Sequence, residues 1–191
     1  MTYFGLVAVA CYFIHIFVGN AYFPHYDPKR QAVSELTARY SPSRKKAVLF
    51  ADLYGLFSTL FSIFFLIAVF DQSFGIALRL AAIFLSGMCF ISFIGYRLFP
   101  LTKSHNRMHL VVTAFVVALT ILALIFFMIG FIHIHVALFS VTLFVMLLLL
   151  IGAMLTNLLP TQYFGIAERI NAYSTVLYIA ILAVWSHWLF I

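Results

Sequence analysis

The sequence predicts an all-α membrane protein, a polytopic bundle of six transmembrane helices, and three observations carry that prediction. Of the 191 residues, 65% are hydrophobic and 8% charged, against about 25% charged in an average soluble chain. The apolar runs are roughly 20 residues long and do not alternate, which is the length of a spanning helix and about twice that of a barrel strand. The charged residues gather in every second connection between those runs.

Six spans follow, at about 3–19, 47–70, 80–98, 110–129, 132–155 and 172–191, and the whole of 1–191 is expected to be one transmembrane domain. The first run lacks the basic n-region and small-residue cleavage site of a secretory signal, so it is expected to remain as a helix. Its Cys11, and Cys89 in the third span, should behave as small apolar residues and form no disulfide framework. His15, also in the first span, reads as a hydrogen-bonded core histidine.

The connection after the first span runs 27 residues, from Asn20 to Lys46, where helical bundles ordinarily use about 2–8. Asp27-Pro28 fits an N-cap followed by proline at the first helical position. Val33, Leu36 and Tyr40 then recur on one side of a helix that Pro42 would end. A short helix lying at the membrane surface, apolar side down, is therefore expected in this loop. On the third span, Ser86-Gly87 and Gly95 offer small residues suited to close helix packing, the face a partner subunit would use. Phe23-Pro24, Phe99-Pro100 and Leu159-Pro160 close the three odd-numbered spans, a faint repeat that proline's frequency just beyond helix ends also accounts for. His187 lies between Trp185 and Trp188, as in an aromatic interfacial belt.

Ten of the eleven basic residues fall on the side of the first, third and fifth connections; Arg79 alone lies opposite. The positive-inside rule then makes that face cytoplasmic, with both termini outside, in a cell inner membrane. Arg44-Lys45-Lys46, just before the second span and with Arg30 and Arg39 nearby, serve as a topology signal or attract anionic headgroups, with membrane lipids the expected partners. No nucleic-acid role is expected, because the membrane boundary accounts for the positive charge and the sequence shows no soluble basic module interleaved with aromatics.

Ionisable groups are costly in a bilayer unless paired or hydrated, so sparse polar residues at helix ends mark a site. They form three stretches on the charged face: Tyr26 to Leu36, Leu98 to His109, and Gly165 to Ile170. At these stretches the chain resembles the DUF998 family of small six-span membrane proteins. That family has a P-x-x-Q-x-V-S-E-L stretch after the first helix, an F-P segment leading to a His at the start of the fourth, and G-x-x-E/Q-R before the last. Pro28, Gln31, Ser34, Glu35, Phe99, Pro100, His109, Glu168 and Arg169 match position by position. One departure is Leu101-Thr102, where family members often carry an Asp. The resemblance implies the six-helix fold and site candidates; it implies no reaction.

The candidate catalytic residues are Glu35, His109 and Glu168, and the candidate ligand-binding residues are Asp27, Gln31, Ser34, His105 and Arg169. His105 and His109, four apart on a helix, would share one face about 6 Å apart, the spacing a divalent metal such as zinc exploits given further ligands. The same pair also suits hydrogen bonding to loop backbone, pairing with Glu168, or proton handling. Ser34 beside Glu35 has the residue types of an activated nucleophile without a surrounding motif, and Glu168-Arg169 equally suits an anchoring pair. The leading expectation is a polar pocket at one membrane face that binds or processes a small or lipidic ligand. A metal-assisted intramembrane hydrolase, a small transporter and a non-catalytic subunit of a membrane complex are the alternatives.

Overall fold

The computed structural model describes residues 1–104 and 106–189, and its six long helices are apolar enough to cross a membrane. They are α1 (Thr2–Ala21), α2 (Arg44–Asp71), α3 (Ile76–Leu98), α4 (Arg107–Phe131), α5 (Val136–Leu158) and α6 (Phe164–Leu189). No strand occurs among the described residues. Each helix packs on the next, and α6 returns to pack on α1, so the chain closes a ring in sequence order. The protein is thus a multi-pass, all-α membrane protein.

The ring is filled by aromatic side chains, with Phe61, Phe65, Phe127 and Phe131 fully buried. Phe131 meets Trp185 edge-on at 4.8 Å between centroids, and Phe127 meets Tyr178 at 5.8 Å, geometries the ring quadrupole favours. Lipid is as apolar as this core, so shape and contact hold the helices together more than exclusion from water does. Small residues allow the close approaches: a Cβ on Gly5 of α1 would meet the Ala183 Cβ of α6 at 2.5 Å.

Two of the small residues of α3, Ser86 and Gly95, make contacts within the chain. The Ser86 hydroxyl donates to the Ser62 carbonyl of α2 at 2.9 Å, and Gly95 is buried under Val112 of α4. His15 is buried, with Nδ1 3.1 Å from the Tyr12 carbonyl, the bonded core histidine anticipated.

Two elements differ most from expectation. Helix α6 begins at Phe164, so Glu168 and Arg169 stand in its first two turns. The surface helix of the first connection shrinks to a five-residue 3-10 turn, Val33–Thr37. Side chains cause the second difference, because they compete for the main-chain groups a longer helix would use. The Asp27 N–H donates to Gln31 Oε1 (2.8 Å) and the Ala32 N–H to Glu35 Oε1 (3.0 Å). Val33 and Leu36 still face inward and are buried, while Tyr40 remains at the surface.

Candidate functional site

The first connection meets both the third connection and the start of α6 at one end of the ring. The Arg39 N–H of the first donates to the Leu101 carbonyl of the third at 2.9 Å, and the first also docks on the start of α6. The first connection therefore forms a roof over the helix ends, and two residues of α6 latch it.

Glu168 Oε2 accepts the Val33 N–H at 3.1 Å, taking up the first donor of the 3-10 turn. Arg169 reaches the other way: Nη1 donates to the carbonyls of Pro28 (2.5 Å), Gln31 (2.9 Å) and Gly165 (2.9 Å), and Nη2 to the Tyr26 hydroxyl (2.5 Å). The planar five-donor guanidinium is suited to several fixed acceptors at once. Tyr26 passes the contact on, its hydroxyl donating to the Ala32 carbonyl at 2.8 Å. Gly165 is the position that lets the roof come so close, since a Cβ there would lie 2.5 Å from both the Pro28 and Gln31 carbonyl oxygens.

Inside the roof, Gln31 Nε2 donates to Glu35 Oε2 at 3.1 Å, and Asp27 Oδ1 accepts the Lys29 N–H at 2.9 Å while facing Arg30. The Ser34 side chain is half-buried, and its carbonyl lies 3.4 Å from the Thr37 hydroxyl. Beneath, Val33 packs with Tyr12 and Val176, and the Tyr12 ring meets Tyr54 at 5.0 Å and Tyr173 at 6.3 Å.

The structure thus brings Asp27, Gln31, Ser34, Glu35, Glu168 and Arg169 together, and it spends much of their hydrogen-bonding capacity on loop backbone. His109 stands apart from that latch. It is buried at the head of α4, with Nδ1 2.9 Å from the Phe99 carbonyl and its ring 5.2 Å from that of Tyr96. The Tyr96 hydroxyl in turn donates to Thr113 Oγ1 at 3.3 Å. His109 also lines a cleft of about 200 Å³ with Arg39, Leu98, Phe99, Pro100, Thr102 and Met108. His105 lies outside the described residues, and among those described no group of three His, Cys, Asp or Glu side chains gathers as metal ligands would.

Tyr26 and Gly165 open two of the polar stretches and Arg39 is one of the loop's basic residues, but the candidate site residues read from the sequence include none of the three. Gly165 carried a usable signal, being one helical turn before Arg169. Tyr26 carried none, because a lone aromatic at a membrane rim reads as an interfacial anchor.

Burial raises the Tyr26 phenol from 10.0 to about 12, with Arg169 opposing the shift. The folded state therefore holds this proton more tightly, and the associated stability is present below pH 10.0 and lost as pH rises towards 12. Tyr26→Phe is expected to lower stability by about 1–2 kcal/mol at neutral pH, since the Ala32 carbonyl and Arg169 each lose a partner. The difference from wild type should shrink between pH 10.0 and 12. Thermal unfolding in detergent across that range checks both; a pH-independent difference contradicts the assignment.

In the comparisons with known proteins, the model of a family described as a protein of unknown function, DUF998, matches residues 6–185. No curated protein and no solved structure matches the chain.

Proposed function

The chain belongs to the DUF998 family, and from that premise we propose that it binds an amphiphilic ligand at the charged end of its helix ring, where the first and third connections meet. The observation that carries this reading is the cleft of about 200 Å³ beside His109. Ligand sites are concave and mostly apolar with a few placed polar groups, and this lining has that composition. Arg39, Thr102 and His109 supply polar atoms, and Leu98, Phe99, Pro100 and Met108 supply apolar surface. The cleft is formed by the ends of α3 and α4, which is where the head of a membrane-borne ligand would meet the protein.

In this reading His109 contacts the ligand. Its Nδ1, hydrogen-bonded to the Phe99 carbonyl, carries the proton, which leaves Nε2 an acceptor in the neutral ring. Asp27, Gln31, Ser34, Glu35, Glu168 and Arg169 are positioning residues: they fold and latch the roof whose Arg39 forms one wall. Mass-spectrometric analysis of lipid carried through purification in mild detergent tests the proposal. Wild type should retain a defined amphiphile. Met108→Trp, which fills the cleft, should lose most of it, while Met154→Trp on the exposed surface of α5 should not. Equal retention by both variants sinks the reading.

The distribution of basic residues supports placing this end in the cytoplasm. Cys11 and Cys89 are buried, so a Lys45→Cys variant provides a lone accessible thiol among the described residues. It should react with a membrane-impermeant maleimide in opened cells and stay unlabelled in intact ones; labelling of intact cells reverses the orientation.

A further inference from the structure

We propose that the occupant of this cleft is a phospholipid of net negative charge whose phosphate is held by the Arg39 guanidinium, a deepening that rests on the amphiphile reading above. Charge is the first argument. The lining contains Arg39 and no carboxylate, and acids elsewhere on this face are engaged. Asp27 faces Arg30, Asp52 pairs with Arg97, and Glu35 and Glu168 accept main-chain N–H groups of the roof. The cleft keeps an uncompensated positive charge.

The second argument is which arginine has donors to offer. Arg30 and Arg97 are paired with acids, while Arg44 and Arg169 donate to loop carbonyls. The Arg39 guanidinium makes no hydrogen bond among the described residues, although its own N–H is fixed to Leu101 at 2.9 Å. The backbone is anchored and the five donors are open, the arrangement that meets phosphate oxygens in a fork. Of the basic triplet that opens α2, Arg44 is turned onto the Thr37 carbonyl and Lys46 onto the Tyr22 ring at 3.3 Å. Arg39 is therefore better placed for a headgroup than either.

The third argument separates a lipid from a free phosphate ion. Leu98, Phe99 and Met108 are exposed beside Arg39, and an inorganic ion would leave that surface uncovered, whereas acyl or glycerol carbons would cover it. Lys103, poised over the Tyr40 ring at 5.6 Å, adds a second positive charge near the cleft.

The experiment uses the full chain in nanodiscs of zwitterionic lipid doped with a fluorescent anionic phospholipid, with binding read as the amount of each probe that stays with the protein after re-extraction in mild detergent. Wild type should enrich the anionic probe over its zwitterionic counterpart. Arg39→Gln should weaken that preference about tenfold, the scale of one charge-assisted phosphate contact. Arg39→Lys should restore it in part, and Lys45→Gln should leave it unchanged. An equal fall in Lys45→Gln would reveal surface attraction alone and overturn the assignment. Displacement of the probe by millimolar inorganic phosphate would overturn the lipid as source. If Arg39→Gln has no effect while Met108→Trp still reduces binding of both probes, the phosphate assignment fails and the amphiphile reading survives. If neither variant has an effect, both fail.

Discussion

Arg169→Ala is expected to release the roof from α6, lowering the free energy of opening residues 26–37 by about 3 kcal/mol, roughly a hundredfold in open population. The magnitude follows from what is left behind. The Pro28 and Gln31 carbonyls lose a charged donor, and the Tyr26 hydroxyl loses the group that orients it. Glu168 still accepts the Val33 N–H, so the roof should hinge about the 3-10 turn and not detach entirely. Arg169→Lys keeps the charge on a compact head that cannot span the same acceptors, and it should fall between wild type and alanine. Trypsin reports the opening directly, because Lys29 and Arg30 are exposed yet belong to a hydrogen-bonded turn that resists extension into a protease. Cleavage there should be slow in wild type and fast in Arg169→Ala. Equal rates would mean that the guanidinium contacts contribute nothing to holding the roof.

Gly165→Ala is the second large effect, and it opposes what helix propensity alone dictates. Alanine in a helix is favoured over glycine by about 1 kcal/mol. At this position, however, the added methyl would lie 2.5 Å from two carbonyl oxygens and 2.9 Å from Arg169 Nη1. Two of those neighbours are backbone of the opposing loop and cannot rotate away, so the roof must shift. Overpacking of this kind costs about 1–3 kcal/mol, and a net loss of roughly 2 kcal/mol in roof attachment is expected once the propensity gain is weighed against it. Gly87→Ala supplies the control, since its nearest neighbour is Leu119 at an ordinary 3.7 Å. Amide hydrogen exchange should quicken across residues 28–37 in Gly165→Ala and remain at the wild-type rate in Gly87→Ala. Slower exchange in Gly165→Ala would mean that the approach of the loop to α6 is looser than described.

The six helices were legible because their signal is long-range and redundant: some 20 apolar residues in succession survive any single substitution. The start of α6 was harder to read. Glu168 and Arg169 give that segment the look of a loop, but in a helix both side chains turn toward the roof and away from lipid. The surface helix of the first connection failed for a related reason. In the sequence Asp27, Gln31 and Glu35 read as capping and site residues, while their competition for neighbouring N–H groups has no trace in apolar spacing. The gathering of the first and third polar stretches was anticipated from their shared face. That they would meet through backbone groups was not, since a main-chain carbonyl carries no mark in a sequence. Arg39 reads in the sequence only as one of several basic residues near Arg44-Lys45-Lys46, because nothing in one dimension separates an arginine with engaged donors from one whose donors are open.

The latch also dictates an order of assembly. Arg169 grips a carbonyl that lies 141 residues before it in the chain, so during synthesis the segment from Tyr26 to Thr37 waits, without its clasp, until the sixth helix has emerged and entered the membrane. Contacts of such long sequence separation form late. Biogenesis therefore passes through a stage with five helices inserted and an uncovered rim, and only the arrival of the sixth converts that intermediate into the mature, closed protein.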